Sequence, residues 1–335
     1  MKTYSILIIT DHTNHSVQNS VYVMASEFPN HELVASVDIA SLGIPQNESF
    51  LEDRNTSSLW VNPVDTSFQF TEDGAFFHKN LTEKNIEAYD FVWLRLPPPL
   101  SSAQLTFLKE VCKQQVVINN PSGIEMAGTK KYLLNFPQLC APMQLCTTVD
   151  DIIDFTEKHE EIVLKPINSY GGKGIVKLDR ENVWEGNTLL SKLDFFNELH
   201  KKPFEYLAVK FLKNVHEGDK RIVVINGEIL GATLRMPASD SWLCNISSGG
   251  TPADTIITPE ELEMVHTVNP FLKKLGIAMY GLDTLTNDAG KRILSEINVT
   301  SVGGVYQFHQ KEGRPPVQKA VNELLKFFIE KANEN

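Results

Sequence analysis

Two stretches hold residue types that could do chemistry together. Residues 161–178, EIVLKPINSYGGKGIVKL, read as a strand, a glycine-rich turn and a second strand. Glycines at 171, 172 and 174 let backbone N–H groups approach a bound anion, because no Cβ stands in the way. Lys165 sits at one side of that loop and Lys173 lies within it. This is the chemistry of a flap over a polyphosphate. The same run fits a hairpin with a flexible tip equally well, and it has neither the Walker A spacing nor a Rossmann fingerprint. In the second stretch, Asp283 lies on one strand of a hairpin, and Glu296 and Asn298 lie at i, i+2 on the other. That spacing puts the last two on one face, with Asp283 able to meet them across the ladder. Two carboxylates and an amide oxygen suit a hard cation such as Mg²⁺ held with phosphate oxygens. A solvated acidic face is the alternative, but Ile293, Leu294, Ile297 and Val299 mark a buried strand, where acids need partners.

The cations come from separate places. Lys130, Lys165, Lys220, Arg221 and Arg235 each fall at the edge of an expected element. In Glu217-Gly218-Asp219-Lys220-Arg221, the arginine could reach a site while the aspartate orients a neighbouring cation. Arg235 ends the next strand, placed to meet developing negative charge. Residues 206–212 could form an adenine slot, with backbone groups of Lys210, Phe211 and Leu212 reading the base edge. An ordinary core strand is an equal reading there. No Ser-His-Asp or Cys-His set emerges, and His12 and His15 have no metal-ligand spacing.

Positioning these groups requires several elements. Alternating apolar strands and helices predict a small parallel α/β domain over residues 1–121. Its strands are expected at 5–10, 33–39, 90–96 and 115–119, its helices at 18–28 and 103–113, with loop or edge structure at 47–71. Residues 122–210 would form a lid carrying the glycine loop, with helices at 123–136, 150–159 and 189–200. Residues 211–335 would form an α+β unit of hairpins, one of them turning at Asn226-Gly227. Helices are expected at 259–275 and 316–332, and a loop at 237–254. From Arg221 onward, hairpins replace crossovers and the sheet should be antiparallel.

The 335 residues are enough for such an arrangement, and 42% hydrophobic with 22% charged is ordinary for a globular chain. A net charge of -11 argues against bulk nucleic-acid binding and supplies no basic stripe for a membrane surface. No apolar run is long enough to span a bilayer. Four cysteines, at 112, 140, 146 and 244, form no CxxC pair, which points to a reducing cytoplasm.

Lys130, LKPINSYGGKGI, EGDKRIVVINGEILG, NISSGG and GLDTLTNDAGKRILSEINVTS resemble, in order and spacing, the ATP-grasp ligases, most closely the bacterial glutathione synthetases. The resemblance covers residues 88–300 well and the N-terminal domain in outline. It implies an ATP-grasp fold, with ATP held between two α+β subdomains behind the α/β domain. It implies that Lys130 and Lys165 contact the phosphates, with Lys220 a further nucleotide-binding candidate by its charge, that Gly171 and Gly172 lie in the closing flap, and that Lys210, Phe211 and Leu212 form the hinge under adenine. Asp283, Glu296 and Asn298 would hold Mg²⁺, two ions in the family pattern, with Mn²⁺ as an alternative. Arg221, Arg235 and Asn245 would serve the reacting acyl phosphate. The implied reaction activates a carboxylate with ATP, and an amine then displaces phosphate. For glutathione synthesis the acid is γ-glutamylcysteine and the amine glycine. Small-molecule acid and amine would be the partners, and this branch often forms dimers or tetramers.

On the acid side, Arg95 and Ser20 carry over, but the surroundings depart. The family's Arg-Lys-Asp-Pro-Pro is Arg95-Leu96-Pro97-Pro98-Pro99 here, and Lys-Asp-Ser is Gln18-Asn19-Ser20. A family arginine is Leu243, and Ser-Pro after EINVTS becomes Ser301-Val302-Gly303-Gly304. A relative joining a different acid and amine is therefore a second reading, and a nucleotide-binding module without turnover is a third.

Overall fold

The computed structural model describes residues 2–238, 242 and 251–334, which build three β-sheets. The first sheet grows from the continuous apolar run of β1 (Tyr4–Thr10), followed by α1 (Ser20–Ala25), β2 (Val34–Ser41), α2 (Pro45–Glu52), β3 (Ser58–Pro63), β4 (Thr82–Asn85), β5 (Phe91–Arg95), α3 (Ser102–Val111) and β6 (Val116–Ile118). Its order is β4-β3-β2-β1-β5-β6. The strands β2, β1, β5 and β6 run parallel, and β3 and β4 add antiparallel at the edge. Helix α2 and strand β3 thus occupy much of the span expected as loop or edge. Asn47 accounts for this local order: its amide bonds the backbone of Ser41 and Trp60, tying α2 to the edge.

The helix expected over 123–136 is broken. Helix α4 (Pro121–Ala127) stops at Gly128, Thr129 is extended at φ -106 and ψ 153, and a 3₁₀ turn spans Lys130–Asn135. Glycine and a β-branched residue in succession are poor helix formers. The break leaves Lys130 at a corner between elements.

The second sheet comprises β7 (Met143–Cys146), β8 (Glu161–Pro166), β9 (Val176–Asp179), β10 (Val183–Glu185), β11 (Thr188–Leu190) and β12 (Tyr206–Lys210), ordered β11-β10-β9-β8-β12-β7. Every pair is antiparallel, so antiparallel pairing takes over already at Met143, well before Arg221. Helix α5 (Val149–His159) starts on a Thr148/Asp151 capping box. Helix α6 begins only at Lys192 and runs Lys192–His200, because Ser191 caps it after β11.

The third sheet comprises β13 (Asp219–Ile225), β14 (Glu228–Met236), β15 (Thr251–Ala253), β16 (Met279–Thr286) and β17 (Arg292–Asn298), ordered β15-β14-β13-β16-β17 and antiparallel throughout. Asn226 and Gly227 take the left-handed conformation that the tight turn requires, at φ 51 and 86. Within the span expected as loop, β15 is a strand. Helix α7 (Pro259–Lys274) backs this sheet. Helices α8 (Val305–Glu312) and α9 (Pro315–Glu334) return the chain to the first sheet, where Phe328 stacks on Phe91 at 4.4 Å. One core therefore joins Ile6, Trp93, Ile225 and Phe328. No described helix is long and apolar enough to cross a membrane.

Candidate active site

A cleft of about 1000 Å³, part of it open to solvent, is lined from both antiparallel sheets and the turn at Lys130. Lys130, Lys165, Gly171, Gly172, Lys210, Phe211, Leu212 and Glu296 all border it. Its other walls are apolar, from Met143, Val163, Ile175, Val209, Leu285 and Leu294. A slot with an apolar floor and a charged end suits an amphipathic ligand such as a nucleotide.

At the charged end, the Lys130 ammonium donates to the carbonyl of Ser169 and lies 3.4 Å from its hydroxyl. It sits 3.9 Å from a Glu296 carboxylate oxygen and 5.7 Å from the Tyr170 ring centroid. Tyr170 in turn donates to the Gly128 carbonyl at 3.0 Å. Burial lowers the pKa of Lys130, Lys165 lowers it further, and Glu296 opposes the shift. Lys165 reaches the Ser295 carbonyl at 3.4 Å. Ser295 is the extra residue of a bulge, since Asp283 pairs with Glu296 while Thr284 pairs with Leu294. Bulges redirect side chains beside sites, and this one turns Glu296 and Asn298 toward the cleft end while Arg292 goes to the other face. In the loop, Gly171, Gly172 and Gly174 have φ of 65, 78 and 68, which only glycine takes without strain.

Asp283 faces Glu296 directly in register. The carboxylate of Asp283 is gripped by Arg221 through a bidentate pair, one arm at 2.7 Å, and by Arg235 at 2.9 Å. The Asn298 amide nitrogen also donates to it at 3.2 Å, which commits that nitrogen and leaves the amide oxygen as an acceptor. Burial opposes ionisation of Asp283, but the two arginines outweigh it and hold the carboxyl far below its usual range. Asp219 shares Arg235, and burial followed by repulsion from Asp283 pushes its pKa up to about 7. Asp219 Oδ1 and Arg235 Nε are buried without partners. The oxygen-only set of Asp283, Glu296 and Asn298 fits a hard divalent cation, although Asp283 already divides its charge between two guanidinium groups.

Several expectations are corrected by position. Lys220 faces away from the cleft, as alternation along β13 requires. Its ammonium is buried against Glu261 and the Ile256 carbonyl, both at 2.7 Å. At the hinge, the N–H of Lys210 goes to Pro142 and that of Phe211 to Glu161, which leaves their carbonyls and the Leu212 backbone as the groups expected to meet a base. The Lys210 ammonium pairs with Asp288 at 2.7 Å. Ser20 is buried at the start of α1, where its hydroxyl accepts from the Tyr306 N–H at 3.3 Å. Arg95 is buried with Trp93 beneath it, donates to the Val302 carbonyl at 2.9 Å and leaves Nε without a partner. Burial brings its pKa down to about 10. Cys244, Asn245 and Leu243 lie outside the described residues.

Sequence reasoning set Asp219 beside a cation without naming it a cleft residue, and it missed Trp242 and most of the apolar lining outside residues 206–212. Asp219 carried a signal, since period-2 alternation from Arg221 places it on the same face. Trp242 and the scattered aliphatic residues carried none.

The model of the prokaryotic glutathione synthetase ATP-grasp domain matches residues 129–313. The glutathione synthetase of Bradyrhizobium diazoefficiens is 35% identical over 234 residues, 68% of this chain and 71% of that one. That of Gloeobacter violaceus is 28% identical over 317 residues, covering 92% and 91%. Among solved structures, a D-cycloserine synthetase superposes with a TM-score of 0.65 at 11% identity, covering 97% of this chain and 99% of that one. The ATP-complexed D-alanine–D-alanine ligase of Bacillus anthracis superposes with a TM-score of 0.56 at 12% identity, covering 99% of each. The structural likeness establishes the ATP-grasp fold, and with the sequence matches it shows that the chain belongs to the prokaryotic glutathione synthetase family of carbon–nitrogen-bond-forming ligases.

Proposed function

We propose that the cleft binds ATP with Mg²⁺ and that the chain joins the carboxylate of γ-glutamylcysteine to the amine of glycine through an acyl phosphate. The observation that carries this reading is the meeting of Lys130, Lys165 and Glu296, from three separate elements, in a cleft whose remaining walls are mostly apolar. The apolar walls would take adenine, with Leu212 N–H at its edge. Lys130 and Lys165 would neutralise phosphate oxygens, and the glycine loop would cover them. Mg²⁺ supplies charge neutralisation at the phosphates when bound, and Glu296, Asn298 and Asp283 would hold it. Phosphoryl transfer needs positioning and charge balance more than covalent catalysis. Arg221 and Arg235, fixed by Asp283 and Asp219, would stabilise the charge that develops on the acyl phosphate. Covering the site excludes the water that would hydrolyse it.

A second reading has its own support. The Ser20 hydroxyl accepts from the Tyr306 N–H and Arg95 donates to the Val302 carbonyl, so the two expected acid-side residues are buried and partly engaged within the protein. An acid other than γ-glutamylcysteine, held by other residues, is the second reading. The test is ADP release with γ-glutamylcysteine and glycine against a panel of acids and amines, with products read by mass spectrometry. ADP formation requiring both named substrates supports the first reading. ADP with another pair alone supports the second, and none with any pair contradicts both. The chain would act as a homo-oligomer in a reducing cytoplasm, consistent with free thiols at Cys112, Cys140 and Cys146.

A further inference from the structure

Trp242 lies on the segment joining β14 to β15, so it belongs to the third sheet's side of the molecule. Its contacts are with the second sheet. The indole Nε1–H donates to the Gly186 carbonyl, at the turn between β10 and β11, at 3.1 Å. The ring meets Phe211 of the hinge edge-on, centroids 6.1 Å apart at 75°. Phe211 is itself held from behind: the Lys177 ammonium lies 4.9 Å from its centroid and 4.6 Å from that of Trp184, and it pairs with Glu161 at 2.9 Å. Trp242 also lines the cleft and is only half-buried.

An indole has one polar group, and here it is satisfied. What Trp242 offers the cleft is therefore apolar π surface, suited to the face of a heteroaromatic ring or to a sugar. Its ring neighbour is Phe211 of the hinge, whereas the cationic Lys130 of the same cleft contacts Ser169 and Glu296 instead. We propose that Trp242 is a nucleotide-contacting residue that walls the base end of the cleft. The inference rests on the reading of the cleft as a nucleotide site.

The test is ADP binding in the presence of Mg²⁺, by calorimetry and by tryptophan emission, in the wild type, Trp242→Ala and Trp242→Phe. The alanine variant should bind ADP about tenfold more weakly, the scale of one lost stacking surface, and the phenylalanine variant should recover most of the affinity. The emission change on binding should vanish in Trp242→Phe, where Trp60, Trp93 and Trp184 remain. Wild-type affinity in Trp242→Ala, or an unchanged emission response in Trp242→Phe, overturns the proposal alone. A wild type that binds no ADP overturns the nucleotide reading and this inference with it. The emission measurement on Trp242→Phe decides the matter if Trp242→Ala does not fold.

Discussion

Along β13 the side chains of Asp219 and Arg221 turn to one face of the third sheet and Lys220 to the other, and the two faces use charge differently. On the far face, Glu261 of α7 is fully buried and bonded by Lys220, Thr284 and Arg292, and it accepts the Thr258 N–H of its own capping box. Arg292 adds bonds to the Gly218 carbonyl and Thr286. Among the described residues, no side-chain atom of this network is buried without a partner. On the cleft face, Asp283 is equally crowded, yet Asp219 Oδ1 and Arg235 Nε are left unpaired. A buried polar atom without a partner costs free energy, so the cleft face carries a cost that the far face does not. The far face holds the sheet to its helix, and the cleft face is the one the proposed function assigns to chemistry.

Breaking each face should give different failures. Arg235→Gln removes the charge proposed to stabilise the acyl phosphate, and turnover should fall about 10²–10³-fold, as for loss of one preorganised donor. Steady-state kinetics on folded protein checks this; a drop under tenfold would move Arg235 out of the chemistry. Glu261→Gln leaves Lys220 and Arg292 buried without their counter-charge and should cost about 3–5 kcal/mol of stability. Denaturant melts should show a lower midpoint with unchanged slope, while turnover per folded molecule stays within about twofold. Thr284→Val removes a buried hydroxyl from the same network and should cost about 1–3 kcal/mol, again without a kinetic effect.

Lys130 gives the smallest effect, a pH dependence. Its pKa is lowered, chiefly by burial, so it loses its proton below the ordinary lysine value of about 10.4. The KM for ATP should be flat through neutral pH and rise on the alkaline side earlier than an unperturbed lysine would allow. Glu296 opposes the lowering, so Glu296→Gln should bring the rise to lower pH still. An alkaline limb at the ordinary lysine value would show that Lys130 is not the group being read.

The comparison of faces also explains what the sequence could tell. The acidic hairpin was legible because Glu296 and Asn298 at i, i+2 share a face in any strand, and the Asn226-Gly227 turn fixed its neighbour's register. Lys220 was placed with the nucleotide because basic residues were read by type; alternation from Arg221 would have sent it to the far face. Its partner Glu261 is 41 residues away on a helix, a separation no local pattern spans. Residues 123–136 looked like one helix because their apolar spacing outlasts the break at Gly128-Thr129. The antiparallel lid sheet was underestimated because β10 and β11 are three residues each, too short for a periodic signal. The acid-side residues Arg95 and Ser20 were placed by resemblance alone, and their burial comes from α8 and the segment around Val302, which no motif announced.

The most direct test of a cleft face that carries the chemistry is the Mg²⁺ dependence of ADP affinity, titrated by calorimetry in the wild type and in Glu296→Gln. Mg²⁺ should tighten ADP binding in the wild type, and that enhancement should be lost in Glu296→Gln while metal-free binding is retained. An undiminished Mg²⁺ enhancement in the variant would contradict the placement of the metal on this face.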